Sequence, residues 1–236
     1  MYSIIIYGYC VIDWILVILH PKKIWRSLMQ TLKSNIREMI LKAARGKFAR
    51  KGFLKTSMRD IADAAGVGVG NVYNYFAGKD ELFQAVVCPV TDEFKRLLEK
   101  HHGQSGRDAL EMFSEAYFRD CVNEYVQLID KYRTLMRILL FLAQGSSLET
   151  FREQFTNRAT EQVKAWFADN KQRHPEINVA VSDFFIHLHT VWMFTLFEEM
   201  LMHNIQRQEI GRIVEEYVRF EIQGWKNIMN IYETEV

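Results

Sequence analysis

Glycines at positions 66, 68 and 70 stand directly ahead of Val72-Tyr73-Asn74-Tyr75-Phe76, and glycines this dense let a backbone come close to a phosphate. That phosphate belongs either to a bound nucleotide or to a nucleic-acid backbone. A dinucleotide fingerprint needs G-x-G-x-x-G between a strand and a helix, whereas the spacing here is G-x-G-x-G after Met58–Ala65, which reads as a capped helix. A phosphate-binding loop of the Gly-Lys-Ser/Thr type is also missing, so a nucleotide-binding helical enzyme is the weaker reading. Other chemistry fails on its own terms. Glu199 and His203, at i and i+4, offer a metal two ligands and no evident third. His187 and His189 diverge around a helix, and His101-His102 reads as a solvated helix end. Cys10, Cys88 and Cys121 show no C-x-x-C spacing, which suits a reducing compartment without disulfide or zinc. No Ser/His/Asp or Cys/His set is recognisable, so the chain is not expected to be an enzyme or to carry a metal or cofactor.

The elements around the glycines are all helical. Three prolines in 236 residues, and no alternating Val/Ile/Thr runs, predict an all-α fold. Ser34 is placed to cap a first helix with Ile36, Ile40, Ala43, Ala44 and Phe48 at helical spacing, closed by Lys51-Gly52. Ser57 opens a brief second helix through a capping box with Asp60, and Gly66 ends it. A short aromatic helix lies between residues 68 and 76, and a longer one runs from Lys79 to about Lys100 with Leu82, Phe83, Val86, Val87, Phe94 and Leu97 inward. Two short helices joined by a glycine-containing turn make a helix-turn-helix, whose second member enters the major groove of DNA. Charge agrees: residues 29–79 hold ten lysines and arginines against Glu38, Asp60 and Asp63, although the net charge of the chain is only +1.

Ile40 to Val87 resembles the DNA-binding domain of the tetracycline-repressor (TetR/AcrR) family of bacterial transcriptional regulators. The matching residues are Ala43-Ala44 with Phe48, Gly52-Phe53, Thr56-Ser57, Ile61-Ala62, Ala65-Gly66-Val67, Val72 to Phe76 and Lys79 to Phe83. The resemblance implies a three-helix DNA-binding domain with a helix-turn-helix over residues 29–88, then a larger helical effector-binding and dimerisation domain over 89–236. It implies a ligand-responsive repressor acting as a homodimer on a palindromic double-stranded operator, paired through its last two helices. Lys79 resembles the family's phosphate-contacting lysine. Gly68-Val69 departs from the polar pair often found there, which shifts base readout to Asn71, Tyr73 and Asn74.

Chemistry assigns the remaining roles. Thr56 and Ser57 at a helix N-terminus can hold a phosphate, with Arg59 as an additional contact. Gly70 permits close approach to the duplex. The amides of Asn71 and Asn74 can pair with base edges. Tyr73 and Tyr75 can each offer a hydroxyl to phosphate or pack inward. Ile61, Ala65, Val67, Val72 and Phe76 form the small core that sets the angle between helices.

Beyond Gly106, helical runs are expected over 107–126, 131–145, 148–174, 181–204 and 209–232. The last two are apolar around more than one face, as helices with two buried faces must be. Met112, Phe113, Tyr117, Phe118, Tyr125, Met136, Phe141, Phe155, Trp166, Phe167, Phe185, Trp192 and Phe197 either fill a core or line a pocket for a small apolar or aromatic effector. Residues 1–28 stand apart. Residues 1–20 are apolar enough to span a bilayer and are followed by Pro-Lys-Lys, which allows a membrane-tethered regulator held at the inner membrane. The favoured reading is a cytoplasmic protein starting at Met29, with the extension arising from a misplaced start.

Overall fold

The computed structural model describes residues 21–103 and 106–231, with side chains from Met29 onward. Among them are helices α1 (Pro21–Lys51), α2 (Met58–Ala65), α3 (Val69–Tyr73), α4 (Lys79–His102), α5 (Glu115–Phe141), α6 (Phe151–Arg173), α7 (Asp183–Met202) and α8 (Arg207–Ile228). A 3-10 turn occupies Glu111–Phe113, and no strand is present among the described residues. The apolar segment over 1–20, with the membrane-anchor and start-site readings attached to it, lies outside the described residues. Within them, no helix is long and apolar enough to cross a membrane.

Three boundaries differ from expectation. Ser34 does not cap α1, which already begins at Pro21, where proline's missing N–H costs nothing. No proline or glycine interrupts the chain until Gly46, so the helix propagates through Ser34. The runs expected over 107–126 and 131–145 fuse into α5, because the residues between them include no breaker and bury Leu128 and Ile129. Its start is delayed to Glu115: the Asp108 carboxylate accepts the Leu110 N–H (2.9 Å), a local turn that competes with helix, and Ser114 then caps Tyr117 N–H at 3.1 Å. The boundary placed after residue 88 falls within α4.

The small helices are fixed by local chemistry. α1 stops at Gly52, whose φ of +72° would strain a side chain. In α2, Ser57 Oγ accepts the Asp60 N–H at 3.1 Å while Asp60 accepts the Ser57 N–H at 3.0 Å. At the other end, Val67 and Gly66 donate to the Ala62 and Asp63 carbonyls, with Gly66 at φ +68°, a Schellman closure. Removing the cap by Ser57→Ala is expected to cost about 1 kcal/mol, read as a lower thermal midpoint.

One apolar core runs continuously from Ile40, Phe48, Ile61, Val72 and Phe83 through Phe94, Leu128 and Phe194 to Val218. A smaller cluster around Trp166, Phe167, Ile186 and Met229 closes the far end. α4 connects the two regions and carries Pro89 in its interior. The loop after α5 makes a second connection: Phe53 N–H donates to Leu142 O (2.8 Å), and Ser147 N–H donates to Asp80 (2.8 Å).

Candidate nucleic-acid interface and internal cavity

α2 and α3 with the turn between them present most of the residues singled out in the sequence. Ser57, Arg59, Gly68, Gly70, Tyr73 and Asn74 are exposed, and Asn71 is half-buried. Leu54, Lys55, Ser57, Arg59, Val69, Tyr73 and Lys79 line one open cleft. Tyr73 is 51% exposed although Val72 beside it is fully buried, so this five-residue helix turns one side chain into the core and the next outward. A Cβ at Gly68 or Gly70 would meet nothing within 4 Å, and neither has positive φ. Nothing inside the fold requires glycine at these positions; open space on the outer side of the helix does the explaining.

Four residues sit differently from the roles assigned to them. Thr56 is 2% exposed and its hydroxyl donates to Gly52 O at 2.7 Å, so it braces the α1–α2 corner and presents nothing to a phosphate. Tyr75 and Val69 lean onto the core and are half-buried, which leaves Tyr73 as the outward aromatic. Lys79 folds over the Phe53 ring (4.2 Å) and donates to Phe53 O at 2.8 Å. Part of its donor capacity is therefore spent internally, in a cation–π contact that locks α4 onto the α1–α2 link. Ile61, Ala65, Val72 and Phe76 are buried as expected. Asp60 accepts from Ser57 and Lys51, and these bonds hold its carboxyl well below the usual range. Around the cleft Lys42, Arg45, Arg50, Lys55 and Arg59 remain exposed.

The larger region encloses a cavity of about 180 Å³. Of the residues nominated for a pocket, Met112, Phe113, Tyr117, Tyr125, Phe155, Trp166, Phe167 and Phe197 line it, whereas Phe118, Met136, Phe141, Phe185 and Trp192 do not. The polar groups in its wall escaped the sequence reading. His101-His102 is no solvated helix end: His101 is 8% exposed, and the His102 ring meets Trp166 edge-on at 5.2 Å. Burial, with His101 and His189 nearby, pushes His102 down to about 3, so it is neutral at ordinary pH. His101 Nε2 lies 2.7 Å from Glu124, which also pairs with Lys100. Burial works to raise the Glu124 pKa, but His101 and Lys100 prevail and hold it at about 2. Burial pushes the Cys121 thiol up to about 11.

His101, Cys121 and Glu124 bring potential ligand atoms within 4.8 Å of one another. Glu124 already accepts from Lys100 and His101, and the Cys121 thiol is held high by burial. Glu199 and His203 form an exposed ion pair at 3.1 Å.

The family description "Bacterial regulatory proteins, tetR family" matches residues 40–86, the stretch from the buried face of α1 into α4. Over these residues the chain is similar to the tetR family. Over 61 residues it is 41% identical to the uncharacterized HTH-type transcriptional regulator YfiR of Bacillus subtilis, covering 26% of this chain and 30% of that one. Over 86 residues it is 36% identical to the HTH-type transcriptional repressor Rv3405c of Mycobacterium tuberculosis, covering 36% and 44%. The matches thus span less than half of either relative. The fold extends further. NalD of Pseudomonas aeruginosa, described as the secondary repressor of the MexAB-OprM multidrug efflux pump, superposes with a TM-score of 0.61 over 85% of this chain and 100% of that one, at 21% identity.

The similarity in sequence is local while the likeness in fold covers most of the chain, a difference that follows from packing. The two-helix reading unit needs particular residues at its turn and caps, whereas a helical body accepts many apolar sequences of suitable volume.

Proposed function

We propose that this protein is a sequence-specific DNA-binding regulator of transcription, a homodimeric repressor of a palindromic operator that releases it on binding a small apolar or aromatic effector. The observation that carries the reading is the outward face of α3, where Tyr73 stands 51% exposed beside Gly68 and Gly70, positions that no internal contact reserves for glycine. A helix with such a face can lie deep in a major groove, with Asn71, Tyr73 and Asn74 toward base edges and Ser57, Lys55 and Arg59 toward phosphates. Lys79 serves chiefly by fixing the entry of α4.

Two such helices reach adjacent half-sites only if two copies pair. The faces of α7 and α8 turned away from the core leave Phe184 74% and Phe220 66% exposed, together with Trp192 and Met202. Apolar side chains on two neighbouring helices are what a second copy would cover. The likeness to the fold of NalD and to a repressor from Mycobacterium tuberculosis supports the sign of regulation. The cavity touches α4 through Phe94, Leu97, Leu98, His101 and His102, so a ligand that prefers one setting of this helix shifts the recognition helices.

Selection of genomic fragments bound by the full chain tests the reading: it is expected to return a palindrome with half-sites about one helical turn apart. On that operator Tyr73→Ala should lose about 1–3 kcal/mol and leave binding to random DNA unchanged. Arg59→Ala should weaken both and reduce the salt slope by about one. Failure to retain any DNA, or equal losses on both DNAs for Tyr73→Ala, would refute it.

A further inference from the structure

We propose that His101, Cys121 and Glu124 form a zinc site, in which one ion joins the end of α4 to α5 beside the cavity. An imidazole nitrogen, the thiol sulfur and a carboxylate oxygen of these residues all lie within 4.8 Å of one another. Among the described residues no other set of three such side chains converges this closely. His101 is the next-to-last residue of α4, while Cys121 and Glu124 sit at i and i+3 on α5, so the trio spans the contact between two helices. His101 and Cys121 are each 8% exposed. Spacing along the chain hid the set, because His101 belongs to a different helix from the other two.

The donor set selects the ion. Thiolate and imidazole disfavour magnesium and calcium, and a mixture of sulfur, nitrogen and oxygen suits zinc. Thiolate and carboxylate together match its double charge. With bonds of about 2.0–2.3 Å, adjacent ligand atoms on a tetrahedral zinc stand roughly 3.3–3.7 Å apart. His101 Nε2 and Glu124 Oε2, now at 2.7 Å, must part slightly, and the widest pair must close by about an ångström. Rotation of side chains supplies both adjustments.

The existing hydrogen bonds leave room for the exchange. Lys100 holds Oε1 of Glu124 and leaves Oε2 to His101. Without the ion, His101 Nε2 donates its hydrogen to the ionised carboxylate. The ion takes the place of that hydrogen, which is then carried on Nδ1. His101 Nδ1 is buried and has no hydrogen-bond partner, so the change of tautomer breaks nothing there. Cys121 gives its thiol proton to solvent as sulfur binds the metal, and Lys100 goes on orienting the carboxylate from outside. One proton therefore leaves the protein for each zinc bound.

His101 and Cys121 also line the cavity, whereas Glu124 does not. Three protein ligands leave one corner of the tetrahedron, and water or a donor atom of a small molecule in the cavity can fill it. Zinc held there pins the end of α4, the helix that carries the reading unit, to α5.

The test is titration of the reduced, metal-free full chain with cobalt(II), a spectroscopic stand-in for zinc, followed by absorption. One cobalt per chain should give sulfur-to-cobalt charge transfer in the near ultraviolet and visible bands of tetrahedral strength, and equimolar zinc should erase both. The Cys10→Ser/Cys88→Ser double variant should keep the spectrum. Cys121→Ser should lose the charge transfer with its helical circular dichroism intact, and His101→Gln should weaken zinc binding more than about tenfold. Absence of charge transfer in the natural chain, its loss in the double variant, or its survival in Cys121→Ser overturns the assignment. The double variant leaves the three ligands untouched, so its result counts even if Cys121→Ser does not fold.

Discussion

Phe94→Ala is expected to destabilise the protein by about 3–5 kcal/mol, the largest loss of any single substitution considered for it. The residue is 2% exposed, and its ring lies 5.3–5.9 Å from those of Phe151, Phe155, Phe194 and Phe197. Those four rings come from α6 and α7, so Phe94 is where the helix that carries the reading unit is seated in the body. Truncation removes the transfer free energy of a benzyl group and leaves a void that the facing aromatics, each held by its own helix, cannot collapse into. Because Phe94 also lines the cavity, the void should merge with it. The expected measurements are a lowered denaturant midpoint with little change in slope, and a larger internal volume admitting bulkier aromatic probes. Phe94→Leu should lose less than half as much. If alanine costs under 1 kcal/mol, the five rings are not the seat of α4.

The second large effect concerns acid. Glu124, with 12% of its side chain exposed, accepts from Lys100 and His101 and titrates at about 2 against an ordinary 4.5. A carboxyl depressed on folding stabilises the native state above its unfolded pKa and ceases to do so as pH falls through its folded pKa. The contribution should be complete above pH 4.5 and vanish toward pH 2. The displacement corresponds to roughly 3 kcal/mol, nearer 2 once solvent around Lys100 is allowed for. Chemical denaturation from pH 7 down to pH 2 should therefore show a fall in that window which Glu124→Gln lacks, the variant starting lower at neutral pH by a similar amount. A parallel fall in the variant would assign the acid sensitivity to other groups.

How much of this could be read in the sequence varied with how local its cause was. Ser57, Asp60 and Gly66 declare their helix because cap and closure chemistry acts within four residues, and Lys79–His102 was legible from spacing alone. Ser34 misled because a capping residue is only an opportunity; the apolar and charged residues before it were already helical, and propagation is easier than nucleation. Asp108 delayed α5 through a turn that helical periodicity does not register. At the reading face the exposure of Tyr73 agreed with its assigned role, but Thr56 and Lys79 turned inward onto Gly52 and Phe53, partners whose proximity depends on tertiary packing. The excess of aromatics left a filled core and a lined pocket both open, and eight of the thirteen residues line the cavity. Its polar wall was not legible, since His101, His189 and Glu221 come from three different helices that only tertiary packing brings together.

Besides the packing of α1 on α5, the reading unit is held by the stem of α4 and by the loop that follows α5, bonded at Phe53–Leu142 and Asp80–Ser147. A head gripped at one point can only be tugged along with its support. Gripped at more than one place, it would pivot if one support slid past the other. The interior of α4 lacks one rung at Pro89, between the part that faces the reading unit and the part that faces the cavity, which puts the yielding point of the lever inside its arm.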